Sequence, residues 1–148
     1  MGDVRYSYIV KTTPNQLYDY LKQASNVADQ LSESFDVELP NPDATLEQGF
    51  EIDWRLTRYG ITQPVKISVD EALRGERLSY RQLEGMFRQW RHIVQLSVHD
   101  ESSTLVTETV HYTLPFGLLG HLVDDLYWNS ELRSILEVRS QKIMQIFD

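Results

Sequence analysis

From Gly49 to Leu114 the chain alternates between apolar and polar residues with a period of two over most of its length. Phe50, Ile52, Trp54 and Leu56 interleave with Glu51, Asp53, Arg55 and Thr57. Gln63, Val65, Ile67 and Val69 interleave with Pro64, Lys66, Ser68 and Asp70. Successive side chains of a pleated strand point to opposite faces, so this pattern predicts strands with one dry and one wet face. Such strands belong to antiparallel rather than parallel sheets. Three further strands are predicted over Leu78–Glu84, Phe87–Asp100 and Ser103–Leu114. Gly60, Gly75, Gly85 and the Asp100–Ser103 stretch mark the turns, and their short spacing predicts a meander of hairpins.

The flanks have a different period. Val4–Thr12 reads as a strand, and Thr13-Pro14 then supplies a helix start, with threonine as N-cap and proline at the first helical position. Leu17, Tyr18 and Leu21 follow at helical spacing; a second short helix is predicted from Asn26 to about Phe35, and Leu39–Asp43 is a turn cluster. After Gly120 the helical period returns and persists to Asp148, with an apolar stripe of Trp128, Leu132, Ile135, Leu136, Ile143, Ile146 and Phe147. Asn129-Ser130 favours caps and is a place for a kink or restart. The expectation is an α+β domain spanning residues 1–148. A curved antiparallel sheet of six or seven strands wraps a long C-terminal helix, with two short helices after the first strand. A single helix cannot cover such a sheet completely, which leaves room for a cavity between helix and concave face.

Charge removes several function classes. The formal charge is −8, from 14 Lys+Arg against 22 Asp+Glu. Nucleic-acid binding needs a basic surface, so no nucleic-acid partner is expected. Eight acids (residues 29, 33, 36, 38, 43, 47, 51 and 53) and no Lys or Arg lie between Asp29 and Asp53, and they match the whole net charge. A solvated face is the plain reading; an edge that meets a partner or cation is the alternative. The chain has no Cys, hence no disulfide, thiolate metal site or Cys nucleophile. The N-terminal residues lack the apolar core of a signal peptide, and no apolar run approaches the roughly 18 residues needed to span a bilayer. A cytoplasmic protein with no stable membrane insertion is expected.

The strand faces single out candidate functional residues. Trp90, His92, Val94, Leu96 and Val98 share the dry face of their strand, and Gln89, Arg91, Gln95 and Ser97 the wet one. Leu78, Tyr80 and Gln82 point inward from the preceding strand, with Ser79 and Arg81 outward; Val106, Glu108, Val110 and Tyr112 point inward from the last. Gln82, His92 and Glu108 are thus polar groups on an apolar face, where an unbonded group costs a few kcal/mol. They satisfy one another, orient a ligand's polar end, or (His92 with Glu108) perform acid–base chemistry. Arg139 falls inside the apolar stripe of the C-terminal helix, where it caps an interior carboxylate, Glu108 being the candidate, or meets a ligand anion. Pro115–Gly120 is an apolar segment flanked by glycine that serves as a strand-to-helix corner or as a gate. The four histidines (92, 99, 111 and 121) lack metal-ligand spacing, and no phosphate loop, dinucleotide fingerprint or nucleophile elbow is present. Neither metal nor cofactor is expected.

The residues from 82 to 92, QLEGMFRQWRH, resemble the pattern Q-x-x-G-P-F-x-x-W-x-H. Residues 108–120, ETVHYTLPFGLLG, resemble D-x-V-x-Y-x-L-P-x-G-x-L-G, and Ile135–Arg139 resembles I-F-x-x-R. These patterns occur in a bacterial ligand-binding subgroup of the SRPBCC superfamily, the START-like, polyketide-cyclase-like proteins of helix-grip fold, whose element order matches the whole chain. The resemblance implies a cavity for a small hydrophobic molecule such as a lipid, quinone-like ring or polyketide. The chain departs from the pattern at Met86 (Pro), Glu108 (Asp), Val94 (often His) and Tyr80 (often Asp), which implies a drier pocket and weakens transfer of acid–base catalysis. The expected ligand-binding residues are Trp54, Tyr80, Gln82, Trp90, His92, Val94, Glu108, Tyr112, Phe116, Leu119 and Arg139. The alternatives are a cyclase or dehydratase using His92 and Glu108, and an interaction module that docks a protein partner through residues 29–53 or the 115–120 segment.

Overall fold

The computed structural model describes residues 2–115 and 121–148, with side chains described over 2–115 and 126–148. The order of elements is β1 (Gly2–Val10), α1 (Pro14–Leu21), α2 (Ala24–Leu31), β2 (Asp36–Glu38), β3 (Glu51–Arg58), β4 (Ile61–Leu73), β5 (Arg77–Glu84), β6 (Gln89–Asp100), β7 (Ser103–Thr113) and α3 (His121–Ile146). The strands form one antiparallel sheet of order β1-β7-β6-β5-β4-β3-β2. From β2 to β7 the sheet is a meander, and β1 closes it by pairing with β7, Val4 opposite Val110 and Tyr8 opposite Val106. Register shifts in the β4–β5 and β6–β7 pairs mark irregularities of the kind that bend strands.

Local chemistry accounts for the elements. Thr13 caps α1 by accepting from the Gln16 amide at 3.3 Å, with Pro14 in the first turn. Tyr59 and Gly60 both have positive φ (54° and 74°), the requirement of the tight two-residue turn that joins β3 to β4. Several boundaries differ from expectation. α2 begins at Ala24 and ends at Leu31, and Asp36–Glu38 adds a short edge strand that its three residues were too few to signal by alternation. α3 runs through Asn129 and Ser130 without interruption, and Asn129 Nδ2 instead donates to the Asp3 carbonyl at 2.9 Å. Val98 and Ile146 were expected inside but are exposed (72% and 53%), because each lies near the end of its element beyond the covering layer. Ser79 was expected to face outward but is buried, its hydroxyl 3.4 Å from Glu71.

The core has two parts. The first joins Tyr8, Val10, Leu17, Leu21, Leu46, Trp54, Tyr80, Val94, Leu96, Val106 and Ile143. The second joins Val4, Val110, Tyr112 and Leu114 to Leu132 and Leu136 of α3. The helix therefore packs directly onto β1 and β7, while the concave face over β3–β6 remains open enough to hold a cavity.

Candidate ligand cavity

That cavity has a volume of about 430 Å³, within the range of small-molecule sites. Its wall is apolar in the main: Val27 and Leu31 from α2; Ile52, Trp54 and Leu56 from β3; Val65 and Ile67 from β4; Tyr80 from β5; Trp90 from β6; Trp128, Leu132, Ile135 and Leu136 from α3. Alternation along each strand supplies these residues, and the helical period supplies those of α3. Phe87 stacks at ring-centroid distances of 5.0 Å from Trp90 and 5.3 Å from Trp128, which makes an aromatic end to the cavity.

Of the expected site residues, Trp54, Tyr80, Gln82, Trp90, His92 and Arg139 line the cavity. Val94, Glu108 and Tyr112 are buried but do not line it. Val94 joins the first core cluster, and α3 packs on Tyr112 in the second, so both are core rather than wall. Phe116 and Leu119, with the suggested gate, lie outside the described residues. The tyrosine hydroxyl of Tyr80 and the indole Nε1 of Trp54 are enclosed and have no hydrogen-bond partner among the described residues.

Glu108 sits behind the wall at the centre of a polar network. Its Oε2 accepts from the Tyr8 hydroxyl at 2.5 Å, and its Oε1 lies 2.7 Å from His92 Nε2. The Arg139 guanidinium meets the same carboxylate through Nη1, and Arg139 Nε donates to Gln30 Oε1 at 2.8 Å. Donors from β1, β6 and α3 thus converge on a carboxylate from β7, and Gln30 ties the group to α2. A carboxylate is an acceptor only, so His92 Nε2 carries the proton in this contact. Burial, and then the nearby Arg139 charge, push the His92 imidazole well below its ordinary value of 6.5, so the ring is neutral. Glu108, already matched in charge by Arg139, offers His92 an acceptor rather than a free counter-charge. Burial also raises the Tyr8 and Tyr80 hydroxyls to about 12, so both stay protonated.

Gln82 has a different task. Its Nε2 donates to the Phe87 carbonyl at 2.6 Å and braces the turn between β5 and β6. A Cβ at Gly85 would meet the Gln82 amide and displace the side chain that makes this contact.

Sequence reasoning missed the mouth. Arg58 Nη2 lies 2.9 Å from Glu131 Oε2 of α3, and the guanidinium carbon lies 5.5 Å from the Phe35 ring centre and 4.9 Å from that of Tyr59. All four residues line the cavity. Alternation does put Arg58 on the dry face after Ile52, Trp54 and Leu56, a signal that could have found it, whereas Glu131 on a helix surface carries none. Among the described residues no group of three or more His, Asp or Glu side chains could hold a metal ion, and no helix is long and apolar enough to cross a membrane.

No family model matches the chain, and no curated protein matches it. Solved structures do. A Chromobacterium violaceum protein aligns with a TM-score of 0.76 at 11% identity, over 99% of this chain and 98% of its own. A ginseng (Panax ginseng) major latex-like protein aligns at 0.74 and 12%, covering 99% and 97%. A START superfamily protein of Mycobacterium smegmatis aligns at 0.70 and 12%, covering 99% of each. The likeness is one of fold: the chain has the helix-grip α+β architecture of these START and major latex-like structures, the fold of the SRPBCC superfamily.

Proposed function

We propose that this chain binds a small hydrophobic molecule (a lipid, quinone-like ring or polyketide-like compound) in the cavity between α3 and the concave sheet face. The observation that carries this reading is a cavity of about 430 Å³ walled by aliphatic and aromatic side chains of α2, α3 and the sheet. A void of that size forgoes the dispersion contacts of a close-packed interior, and an apolar occupant restores them. The fold likeness is consistent with it. The polar groups reaching the wall are few, as suits orientation of one end of a ligand rather than solvation of a charged one.

An acid–base enzyme is the second reading, favoured by the 2.7 Å contact between His92 and Glu108. Two features weigh against it. The carboxylate is already engaged by Tyr8 and Arg139, and burial lowers the basicity of the imidazole.

Native mass spectrometry of the purified protein, followed by denaturing extraction, is expected to release a bound apolar molecule or to show one-to-one uptake of 2-methylnaphthalene. Trp90→Ala, which opens the aromatic end, is expected to weaken that uptake about tenfold. A protein that is isolated empty and takes up no apolar probe would overturn the proposal, as would equal affinity in the Trp90 variant.

A further inference from the structure

Two polar side chains reach both the network around Glu108 and the cavity: His92 and Arg139. Their remaining hydrogen-bonding capacity decides which ligand end the cavity accepts. His92 uses Nε2–H on Glu108, and the neutral ring then holds a bare lone pair on Nδ1, an acceptor. Arg139 uses Nε on Gln30 and Nη1 on Glu108, and no hydrogen bond joins its Nη2 to a described residue. Neither His92 Nδ1 nor Arg139 Nη2 is among the enclosed polar atoms that lack a partner. The network therefore presents one acceptor and one donor at the wall, beside the unpartnered Tyr80 hydroxyl and Trp54 Nε1. Charge gives a second constraint. Arg139 is matched by Glu108, and Tyr8 and His92 are neutral, so the group carries no net charge toward a ligand. An anionic ligand would bring an unmatched buried charge, which is costly in such surroundings.

We infer that the cavity selects an uncharged ligand bearing a hydroxyl, alcoholic, phenolic or enolic, whose O–H donates to His92 Nδ1 while its oxygen accepts from Arg139 Nη2. This rests on the apolar-ligand reading above and adds the polar group of the ligand. In this arrangement Glu108 is a positioning residue: it fixes the His92 tautomer, and so determines that Nδ1 accepts rather than donates. Gln82 has its amide nitrogen on the Phe87 carbonyl and so is held as a brace of the β5–β6 turn.

Three probes of one ring system separate the possibilities in the unaltered protein: 2-naphthol, 2-methoxynaphthalene and 2-naphthoate, titrated at neutral pH alongside 2-methylnaphthalene. The methyl ether keeps the oxygen acceptor and loses only the O–H. The expected result is that 2-naphthol binds about tenfold tighter than the ether, and that naphthoate binds weakest. In ¹⁵N NMR of the imidazole, the His92 Nδ1 resonance is expected to shift with naphthol and not with the ether. A purely structural histidine would show no such difference. His92→Phe is expected to bring the naphthol and ether affinities together. Equal binding of naphthol and ether, or tighter binding of naphthoate, would overturn the hydroxyl inference and leave the apolar cavity standing. Failure of all four probes would overturn the apolar-ligand reading itself.

Discussion

Glu108 has no exposed surface, yet donors from three other elements meet it. A buried charge pair of this kind contributes little over a well-packed apolar substitute, because desolvation offsets the attraction. Breaking it is another matter, since one charge is then left unmatched. Glu108→Gln is therefore expected to lower the unfolding free energy by about 3 kcal/mol. The double variant Glu108→Leu with Arg139→Met, which removes both charges, is expected to cost clearly less than the sum of the two single changes. Urea unfolding of the four proteins checks this, and strict additivity would show that the two side chains do not act as a pair. The need for such a pair was legible in the sequence: a carboxylate on a dry strand face and an arginine in an apolar helical stripe each require a partner, and few partners exist. The roles of Gln30 and Tyr8 were not legible. Gln30 lies in a short helix next to acidic residues, and Tyr8 is an ordinary strand residue, so nothing local distinguishes either from surface or packing.

Between elements, the β3–β4 hairpin meets α3 through residues that line the cavity. Arg58 stands beside the tight Tyr59-Gly60 turn, reaches Glu131 across the cavity mouth, and is flanked by the rings of Phe35 and Tyr59. Both charged side chains are about a quarter exposed (24% each), so the ion pair adds little to overall stability. Its expected effect is kinetic, since a ligand leaving between hairpin and helix must part them. Arg58→Ala is expected to change the unfolding free energy by less than about 1 kcal/mol and to speed dissociation of a bound naphthalene probe several-fold. Stopped-flow displacement measures the rate, and an unchanged rate would show that exchange takes another route. Elements themselves were largely readable from the sequence because alternation and helical spacing are local properties. Contacts between elements were readable only where a residue broke the pattern of its own element: Arg139 does so inside an apolar helical stripe, and Arg58 does so on the dry face of β3 after Leu56, but as the last residue of its strand.

For the molecule as a whole, the decisive fact is that α3 does not cover the sheet evenly. Leu132 and Leu136 pack closely on β1 and β7, Ile143 joins the core under β3–β6, and between them a cavity remains over the β3–β6 face. Alternation separates inward from outward side chains but cannot say which inward residues the helix covers. That is why Val94, Glu108 and Tyr112 could not be told from Trp54, Trp90 and His92 before the fold was known. The acidic excess of residues 29–53 takes no part in the division, since all eight acids are exposed. An unfilled volume in this position ties ligand binding to global stability. An apolar ligand present at a hundred times its dissociation constant is expected to raise the unfolding free energy by about 2.7 kcal/mol. Ile135→Trp sends a larger ring from α3 into the same space and supplies from within part of what the ligand supplies from outside. This variant is expected to be about 1 kcal/mol more stable than the parent without ligand, and to gain little when ligand is added. Chemical denaturation of both proteins, with and without 2-methylnaphthalene, reads the two effects together. If the variant is stabilised by the ligand as much as the parent is, the ligand occupies some other place and the space beneath α3 is only a gap in the packing.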